Sequence, residues 1–310
     1  MQAPHTPVLL QEILQLFSPL KEGVFLDGTL GYAGHSQCLL DAHPKLRLIA
    51  CDQDDEALKF SQNRLEKFSQ RVSLHHCNFT EIFDRVESSS VRGILADIGL
   101  SSLQMDANRR GFSMRSDFLD MRMDRRLKFS AFDVVNSYSK DALALIFREY
   151  GELKDAEILA QKIIKARAQN AITSGKKLRE IIGDARLDSR KISKATLVFQ
   201  AIRIEVNKEL ENLRIFLEKV ENLGLKDCIL AVICFHSLED RMVKHFFKKW
   251  SRACICDERV LRCECGGDHH RGQILSKKPI VPSDEEVRAN PRSSCAKMRA
   301  FYFRQDNARR

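Results

Sequence analysis

The sequence lacks any long apolar run, and this absence argues against a membrane-spanning helix. The longest uninterrupted apolar segment extends from Cys228 to Phe235, whereas a helix that crosses a bilayer needs about 20 apolar residues. No basic flank precedes the apolar part of the N-terminus, so we expect no secretory signal peptide. The 310 residues are 44% hydrophobic and 30% charged, a composition typical of a soluble globular enzyme.

A Walker phosphate-binding loop is also missing, because the sequence has no Gly-Lys-Ser/Thr signature after a glycine-rich turn. The glycine-rich stretch FLDGTLGYAGHS, at 25–36, has the spacing G-x-x-G-x-x-G, whereas a pyrophosphate loop prefers G-x-G-x-x-G. The carboxylate of Asp27 directly before this loop would repel a pyrophosphate. It would suit a cationic ligand, such as the amino and sulfonium groups of S-adenosylmethionine. A glycine-rich turn that binds no ligand is the alternative interpretation.

The ten cysteines show no spacing typical of a small disulfide-linked scaffold, so we expect mostly reduced thiols in a cytoplasmic protein. Four of them form two closely spaced CxC pairs, Cys254 with Cys256 and Cys263 with Cys265. Four thiolates can bind zinc in a tetrahedron, although the usual spacing in zinc sites is CxxC. The two pairs therefore predict either a structural zinc site or plain reduced thiols.

Short apolar runs alternate with helical patterns through the first third of the chain, which predicts βαβ units and a parallel sheet. Three of these runs are followed by aspartates, namely Asp27, Asp52 and Asp97. Ligands of open α/β sheets bind beyond the carboxyl ends of the strands, so we expect these carboxylates to lie at one edge. Asp52 follows the glycine loop at a distance that suits a carboxylate accepting hydrogen bonds from ribose hydroxyls.

A long helical segment separates the fourth apolar run from the fifth, Cys228 to Phe235. Residues 139–222 are almost entirely helix-patterned, with few strand signals. We therefore predict an α/β fold in which residues 1–105 and 214–310 form one discontinuous domain. Residues 106–213 are predicted to form an all-helical insertion.

Basic residues are in excess and are concentrated in patches. The formal net charge is +9, and the segment 109–128 alone has seven basic and three acidic residues. Concentrated basic patches are what binding to phosphates requires, because cations on the protein release the counterions of a nucleic acid. The charge therefore favours polyanionic partners. An ordinary basic enzyme without such a partner remains the alternative.

Several longer strings resemble one family of enzymes. The two most specific are LDMRMD at 119–124 and FHSLEDR at 235–241. The others are HTPVLLQE (5–12), DGTLGYAGHS (27–36), ADIGLSSLQMD (96–106), RGFSM (110–114), FQAIRIEVNKEL (199–210) and KPIVPSDEEVRANPRSSCAKMR (278–299). Through these strings the chain resembles the bacterial 16S ribosomal RNA cytosine-N4 methyltransferases, which use S-adenosylmethionine and modify a cytidine in the decoding region of the small ribosomal subunit.

The resemblance implies a class I (Rossmann-like) methyltransferase sheet, with the helical insertion as a substrate-recognition domain. It implies 16S rRNA or the small subunit as the partner. It also implies cofactor contacts at Ala33, Gly34, His35, Asp52, Phe79, Asp97 and Gln104. The sequence departs from the family at Tyr32-Ala33, where glycines are common, and at Phe118, where the family usually has Gly-Pro before LDMRMD.

Methyl transfer to the exocyclic amine of cytidine needs alignment and an acceptor for an amine proton. Asp97 is the candidate for that acceptor, or for a contact to the methionine part of the cofactor; loop capping is its alternative role. His236 is expected to be structural, and Ser237–Asp240 fits a helix capping box. Six arginines follow the fourth run closely and are therefore placed to meet phosphates beside it: Arg109, Arg110, Arg115, Arg122, Arg125 and Arg126. Of these, Arg125 and Arg126 are predicted to contact RNA, with a solvated loop or internal salt bridges as the alternative.

Two other classes of function share some of these features. A nicotinamide-dependent oxidoreductase would share the sheet and the ribose-binding acid, but Asp27 and the loop spacing disfavour it. A non-catalytic RNA-binding assembly factor would use the basic surfaces alone. Calorimetry against S-adenosylmethionine, S-adenosylhomocysteine and NAD distinguishes the three classes.

Overall fold

In the computed structural model the described residues are 7–185, 192–257 and 262–304. The chain divides into two compact units. The first unit consists of Met1–Gly99 together with Asn212–Arg310, and the second is Leu100–Glu211. For comparison with the second unit, the range predicted from the sequence for the inserted domain is 106–213.

Seven strands of the described chain form one sheet in the first unit. They are β1 (Glu22–Asp27), β2 (Lys45–Asp52), β3 (Val72–His76), β4 (Val91–Asp97), β5 (Cys228–Cys234), β6 (Gly272–Ile274) and β7 (Lys297–Phe303). Their order is β3-β2-β1-β4-β5-β7-β6, with β1 to β5 parallel and β7 antiparallel to both of its neighbours. The predicted α/β, Rossmann-like class is confirmed.

Helices connect the strands and build the second unit. Those before residue 100 are α1 (Leu10–Phe17), α2 (Gly34–Ala42) and α3 (Asp55–Arg64). Those that follow are α4 (Ser102–Asp106), α5 (Ala131–Ser137), α6 (Lys140–Glu149), α7 (Ala156–Arg167), α8 (Gly175–Ile182), α9 (Lys194–Asn207), α10 (Glu209–Asn222), α11 (Ser237–Trp250) and α12 (Asp284–Ala289). None of the helices in the described ranges combines the length and apolarity needed to cross a bilayer.

Polar side chains fix several helix starts. The Asp54 carboxylate accepts a hydrogen bond from the Glu56 N–H at the start of α3. The Ser193 hydroxyl accepts one from the Thr196 N–H at the start of α9. Each such cap satisfies a backbone donor that has no partner within the helix, and replacing it with alanine typically costs about 1 kcal/mol.

Side chains that alternate along the strands build a separate core on each face of the sheet. On one face, Val24 and Leu26 pack in a cluster with Phe216 and Trp250. On the other face, Phe25 meets Phe17 of α1 edge to face, with ring centroids 4.8 Å apart. Burying each of these large side chains contributes about 1.5–3 kcal/mol. The two cores hold the sheet, and therefore the carboxyl ends of its strands, in a fixed position.

The second unit has its own helical core, to which the string LDMRMD belongs. Leu119, Met121 and Met123 are buried, and Met121 takes a left-handed backbone with φ of 58°. The side chain of Asn207 anchors this turn. It accepts from the Met123 N–H at 2.8 Å and donates to the Met121 carbonyl at 2.8 Å. The most specific string of the sequence thus fixes the shape of a buried loop in this unit.

Candidate functional site

Three aspartates end adjacent parallel strands at one edge of the sheet. Asp27 ends β1, which lies between β2, ending at Asp52, and β4, ending at Asp97. The order of the strands reverses between β1 and β4, because β2 and β3 continue on one side and β5 on the other. The three carboxylates therefore lie where doubly wound sheets bind their ligands.

Asp27 is a buried carboxylate with two protein donors. Its side chain is 2% exposed; Oδ2 accepts from the Ser36 hydroxyl at 2.6 Å and Oδ1 from the Thr29 N–H at 3.1 Å. Burial, opposed by these two hydrogen bonds and assisted by the charge of Asp52, raises the pKa of Asp27 to about 6. A negative charge at this position is therefore unfavourable without a cation nearby.

Asp52 holds the glycine loop through its carboxylate. Oδ2 accepts from the Gly31 N–H and Oδ1 from the Asp54 N–H, each at 2.8 Å. Burial raises the pKa of Asp52 to about 6 even though these bonds oppose it. Each carboxylate oxygen has a second lone pair, so Asp52 has the capacity to accept hydrogen bonds from a sugar diol as well.

Asp97 differs from the other two because one of its carboxylate oxygens has no partner. Oδ1 is buried and makes no hydrogen bond to any described residue, while its backbone N–H donates to the Thr29 hydroxyl oxygen at 2.6 Å. Burial, followed by the charges of Asp27 and Glu239, raises the pKa of Asp97 to about 7. A buried acceptor without a donor is costly, and a ligand that donates to it relieves that cost.

The glycine loop between β1 and α2 is tightly held. The Gly28 N–H donates to the Leu95 carbonyl and the Leu30 N–H to the Cys51 carbonyl. Ala33 has a left-handed backbone with φ of 57°. The alanine that replaces a common glycine of the family thus takes a conformation that glycine adopts more easily.

The N-terminal segment lies directly against this loop. A Cβ atom added to Gly34 would lie 2.2 Å from the Pro7 side chain, so this position has no room for a larger residue. The backbone of Leu9 is fixed in turn, because its N–H donates to Glu286 of α12 at 2.9 Å. The loop is therefore supported by residues from both ends of the chain.

Comparisons with known proteins identify the family of the chain. The chain matches the MraW methylase family over residues 2–304. It belongs to that family. The "Ribosomal RNA small subunit methyltransferase H" of Campylobacter lari is 60% identical over 305 residues, 98% of this chain and 100% of its own. The protein of the same name from Campylobacter jejuni is 57% identical over 304 residues, 98% of this chain and 97% of its own.

Solved structures are more distant. An rRNA methylase from Streptococcus thermophilus aligns over 95% of this chain and 95% of its own at 11% identity, with a TM-score of 0.38. A similarity of that size supports no argument about function. The membership of the MraW methylase family therefore rests on the sequence.

Among the predicted cofactor residues, His35 and Phe79 make protein contacts beside the loop. His35 is buried, and its Nε2 lies 2.9 Å from the Val8 carbonyl oxygen. The Phe79 ring packs on Phe216, with centroids 5.2 Å apart. A Cβ atom on Gly28 would lie 3.1 Å from the Phe79 Cβ. In this member of the MraW methylase family, both side chains support the glycine loop.

Gln104 belongs to the second unit, unlike the other predicted cofactor residues. Its side chain accepts from the Ser101 N–H, and the Ser101 hydroxyl accepts from the Gln104 N–H, at 3.1 Å each. This reciprocal pair is a capping box at the start of α4. A cofactor contact by Gln104 stays a prediction.

The loop after β5 adds an acid that sequence reasoning missed. Glu239 is 0% exposed, and its Oε2 accepts from the N–H groups of Phe235 and His236 at 2.8 and 3.2 Å. The predicted capping box was placed one residue late, because the N-cap is His236 and the third helical residue is Glu239. Asp240 instead pairs with Arg299 at 2.6 Å. The structural role expected for His236 agrees with this arrangement.

The arginines after β4 have different environments. Arg110 is buried and donates to the carbonyls of Arg122 and Met123, so its predicted place beside phosphates is wrong. Arg122 forms a two-point pair with Asp120 at 2.7 and 2.8 Å. Arg125 and Arg126 are both exposed, and Arg126 pairs with Asp124 at 2.7 Å.

The four cysteines of the two CxC pairs come together. Their Sγ atoms all lie within 4.8 Å of one another. The paired cysteines are exposed or half-buried at the surface of the first unit. This cluster is separate in sequence from the strand ends that carry the aspartates.

Proposed function

We propose that this chain is a cytoplasmic S-adenosylmethionine-dependent methyltransferase that modifies the N4 amine of a cytidine in the decoding region of 16S rRNA. The observation that carries the proposal is the cluster of Asp27, Asp52 and Asp97, three carboxylates whose pKa values are all raised at the switch point of the sheet. Such a cluster favours a cationic ligand. The small-subunit rRNA substrate follows from the names of the relatives, and the N4 position from the strings that resemble the cytosine-N4 enzymes.

The residues at the strand ends fit the chemical groups of S-adenosylmethionine. Asp52 would accept from the ribose hydroxyls, and the apolar surface of Phe79 would face the adenine. The loop at Ala33, Gly34 and His35 would pass close to the methionine part, because it follows the carboxyl end of β1, where doubly wound sheets bind their ligands. Asp27 and Asp97 would offset the positive charge of the ligand. When bound, this cofactor supplies the methyl group.

Asp97 has the properties of the residue that receives or orients the amine. Its buried Oδ1 has no donor among the described residues, so the cytidine N4–H group or the amino group of the cofactor would complete it. A pKa of about 7 also suits a group that takes a proton near neutral pH. Alignment of the amine with the methyl group would lower the activation free energy further, by up to about 7–11 kcal/mol in favourable cases.

The decisive test is transfer of labelled methyl groups from S-adenosylmethionine to small ribosomal subunits that lack the modification. We expect about one methyl group per subunit, recovered as N4-methylcytidine after nucleoside mapping, since a base flipped into one site gives one product. Subunits that already carry the modification serve as the control. Label recovered on another base or on protein would contradict the proposal. Binding of the RNA without transfer would favour the assembly factor instead.

RNA contact by Arg125 and Arg126 is proposed as part of substrate binding by the second unit. A plot of log affinity against log salt concentration falls with a slope whose magnitude increases by about 0.7–0.9 for each phosphate contact. We therefore expect the double variant Arg125→Ala/Arg126→Ala to reduce the magnitude of this slope by about 1–2. Arg126 must exchange its Asp124 partner for a phosphate when it binds RNA. Affinities for the subunit at several salt concentrations give the slope.

The matched control is Lys59→Ala/Lys67→Ala, which removes two exposed lysines from the first unit. It removes the same net charge elsewhere on the surface. If both double variants lower the slope equally, the effect is one of net charge, and Arg125 and Arg126 are not phosphate contacts.

A further inference from the structure

The four sulfur atoms of the CxC pairs lie within 4.8 Å of one another, and three of them have the spacing of a metal-thiolate tetrahedron. The Sγ distances are 3.6 Å for Cys254–Cys263, 3.6 Å for Cys263–Cys265 and 3.7 Å for Cys254–Cys265. Zinc–sulfur bonds of about 2.3 Å in a regular tetrahedron give sulfur–sulfur distances of about 3.8 Å. A disulfide requires about 2.05 Å, so these cysteines are not linked to each other.

Backbone amides point at the sulfurs in a reciprocal pattern. The Ile255 N–H, within the first pair, donates to Cys265 Sγ at 3.4 Å. The Glu264 N–H, within the second pair, donates to Cys256 Sγ at 3.4 Å. Each pair thus offers a donor to a sulfur of the other pair. Such donors stabilise thiolates, which are the form in which cysteine binds a metal.

Apolar packing does not explain why these cysteines converge. Cys254 and Cys263 are exposed, and Ile255 between the first two cysteines is 66% exposed. Hydrogen bonds between thiols are weak, and thiolates without a cation repel each other. The hydrogen bonds described for this segment are few and weak, so a cation shared by Cys254, Cys256, Cys263 and Cys265 would add the attraction that holds four thiolates together.

The cluster lies in the connection between α11 and the edge strand β6. The described parts of this connection have a few backbone bonds, including Arg271 N–H to the Trp250 carbonyl at 2.8 Å and His269 N–H to the Ala253 carbonyl at 2.9 Å. The His269 Nε2 also lies 2.7 Å from the Cys265 carbonyl oxygen. A metal ion bound here would close the connection and fix the position at which β6 begins.

We propose that Cys254, Cys256, Cys263 and Cys265 bind one structural zinc ion as four thiolates. Four protein ligands fill the tetrahedron and leave no position for water or substrate, so the ion serves the fold and not the chemistry. The site is independent of the proposed methyl transfer. It uses residues that the methyltransferase reaction does not need.

The test begins with the metal content of the full chain purified without a histidine tag. We expect about one zinc per chain after dialysis against a weak chelator. The variant Cys254→Ser/Cys263→Ser should lose essentially all of it, because two of the four ligands are gone. The variant Cys38→Ser/Cys295→Ser should retain it, since both cysteines lie outside the cluster.

Cobalt replacement gives a second measurement that needs no variant. Co²⁺ in place of zinc should produce the intense visible bands of a tetrahedral four-thiolate site. Zinc below about a tenth of an equivalent, together with cobalt spectra of octahedral type, would overturn the proposal. A brown protein containing iron would overturn it as well, because the same ligands would then hold a different metal.

Discussion

Asp97→Asn should abolish most methyl transfer while making the protein more stable near neutral pH. The amide keeps the shape of the side chain but no longer accepts a proton or offsets a positive charge. We expect the activity to fall by a factor of about 10²–10⁴, through a lower turnover number or a weaker affinity for the cofactor. If the turnover number falls at unchanged affinity, Asp97 acts on the amine. If the affinity falls, it holds the cofactor.

The gain in stability follows from the pKa of Asp97, which is about 7 in the folded chain against 3.8 as its ordinary value. Between these values the folded state binds more protons than the unfolded state, so the ionised side chain destabilises the fold at higher pH. Asparagine removes that penalty. We expect a gain of about 2–4 kcal/mol in the free energy of unfolding at pH 8, which shrinks as the pH falls through 7 and vanishes near 4.

Denaturant unfolding of both proteins across this pH range provides the measurement. Asp41→Asn is the control, because Asp41 is exposed beside Lys67 and lies away from the strand ends. The control should change neither stability nor activity. A variant Asp97→Asn that is fully active, or that is less stable than the wild type at pH 8, would contradict the role assigned to Asp97.

Asp52→Ala should lower the affinity for S-adenosylhomocysteine by about 100-fold. Two charge-assisted hydrogen bonds to the ribose hydroxyls would be lost, each contributing about 1.5–3 kcal/mol, with part of that recovered by water. Asp52 also accepts from the N–H groups of Gly31 and Asp54. A weaker affinity alone could therefore reflect a looser loop.

A ligand that lacks the two ribose hydroxyls separates these explanations. In calorimetry, wild type and Asp52→Ala should bind the 2′,3′-dideoxy analogue of S-adenosylhomocysteine with similar, weak affinity. Asp55→Ala, at a half-buried position in the first turn of α3, should bind both ligands like the wild type. An equal loss for the natural ligand and the analogue would mean that Asp52 only supports the loop.

The sequence predicted the five parallel strands because each contains a short run of apolar residues, which is continuous in β5 and alternates with polar residues in β3. It did not predict β6 and β7. The strand β7 contains Arg299, which is buried against Asp240 at 2.6 Å, and this charge interrupts the apolar pattern. The strand β6 has only three residues. Because Asp240 of α11 pairs with Arg299 from far away in the sequence, the residues around Arg299 do not indicate a buried strand.

At the strand ends the sequence predicted which aspartates meet, because the ends of parallel strands share one edge. It could not predict which carboxylate oxygen would lack a partner, since that depends on donors from several elements. The burial of Arg110 was missed for the same reason. Its guanidinium donates to the backbone carbonyls of Arg122 and Met123. Since every residue type has such a carbonyl, the sequence does not indicate these bonds.

The support of the glycine loop has a consequence for synthesis of the protein. Pro7 and Val8 brace the loop at Gly34 and His35, and Leu9 is held by Glu286, which lies 277 residues later in the sequence. A nascent chain that ends before α12 therefore has every loop residue but not the bond that fixes Leu9. The glycine loop would therefore become rigid only after α12 has been synthesised, so we expect chains truncated before α12 to bind S-adenosylmethionine weakly.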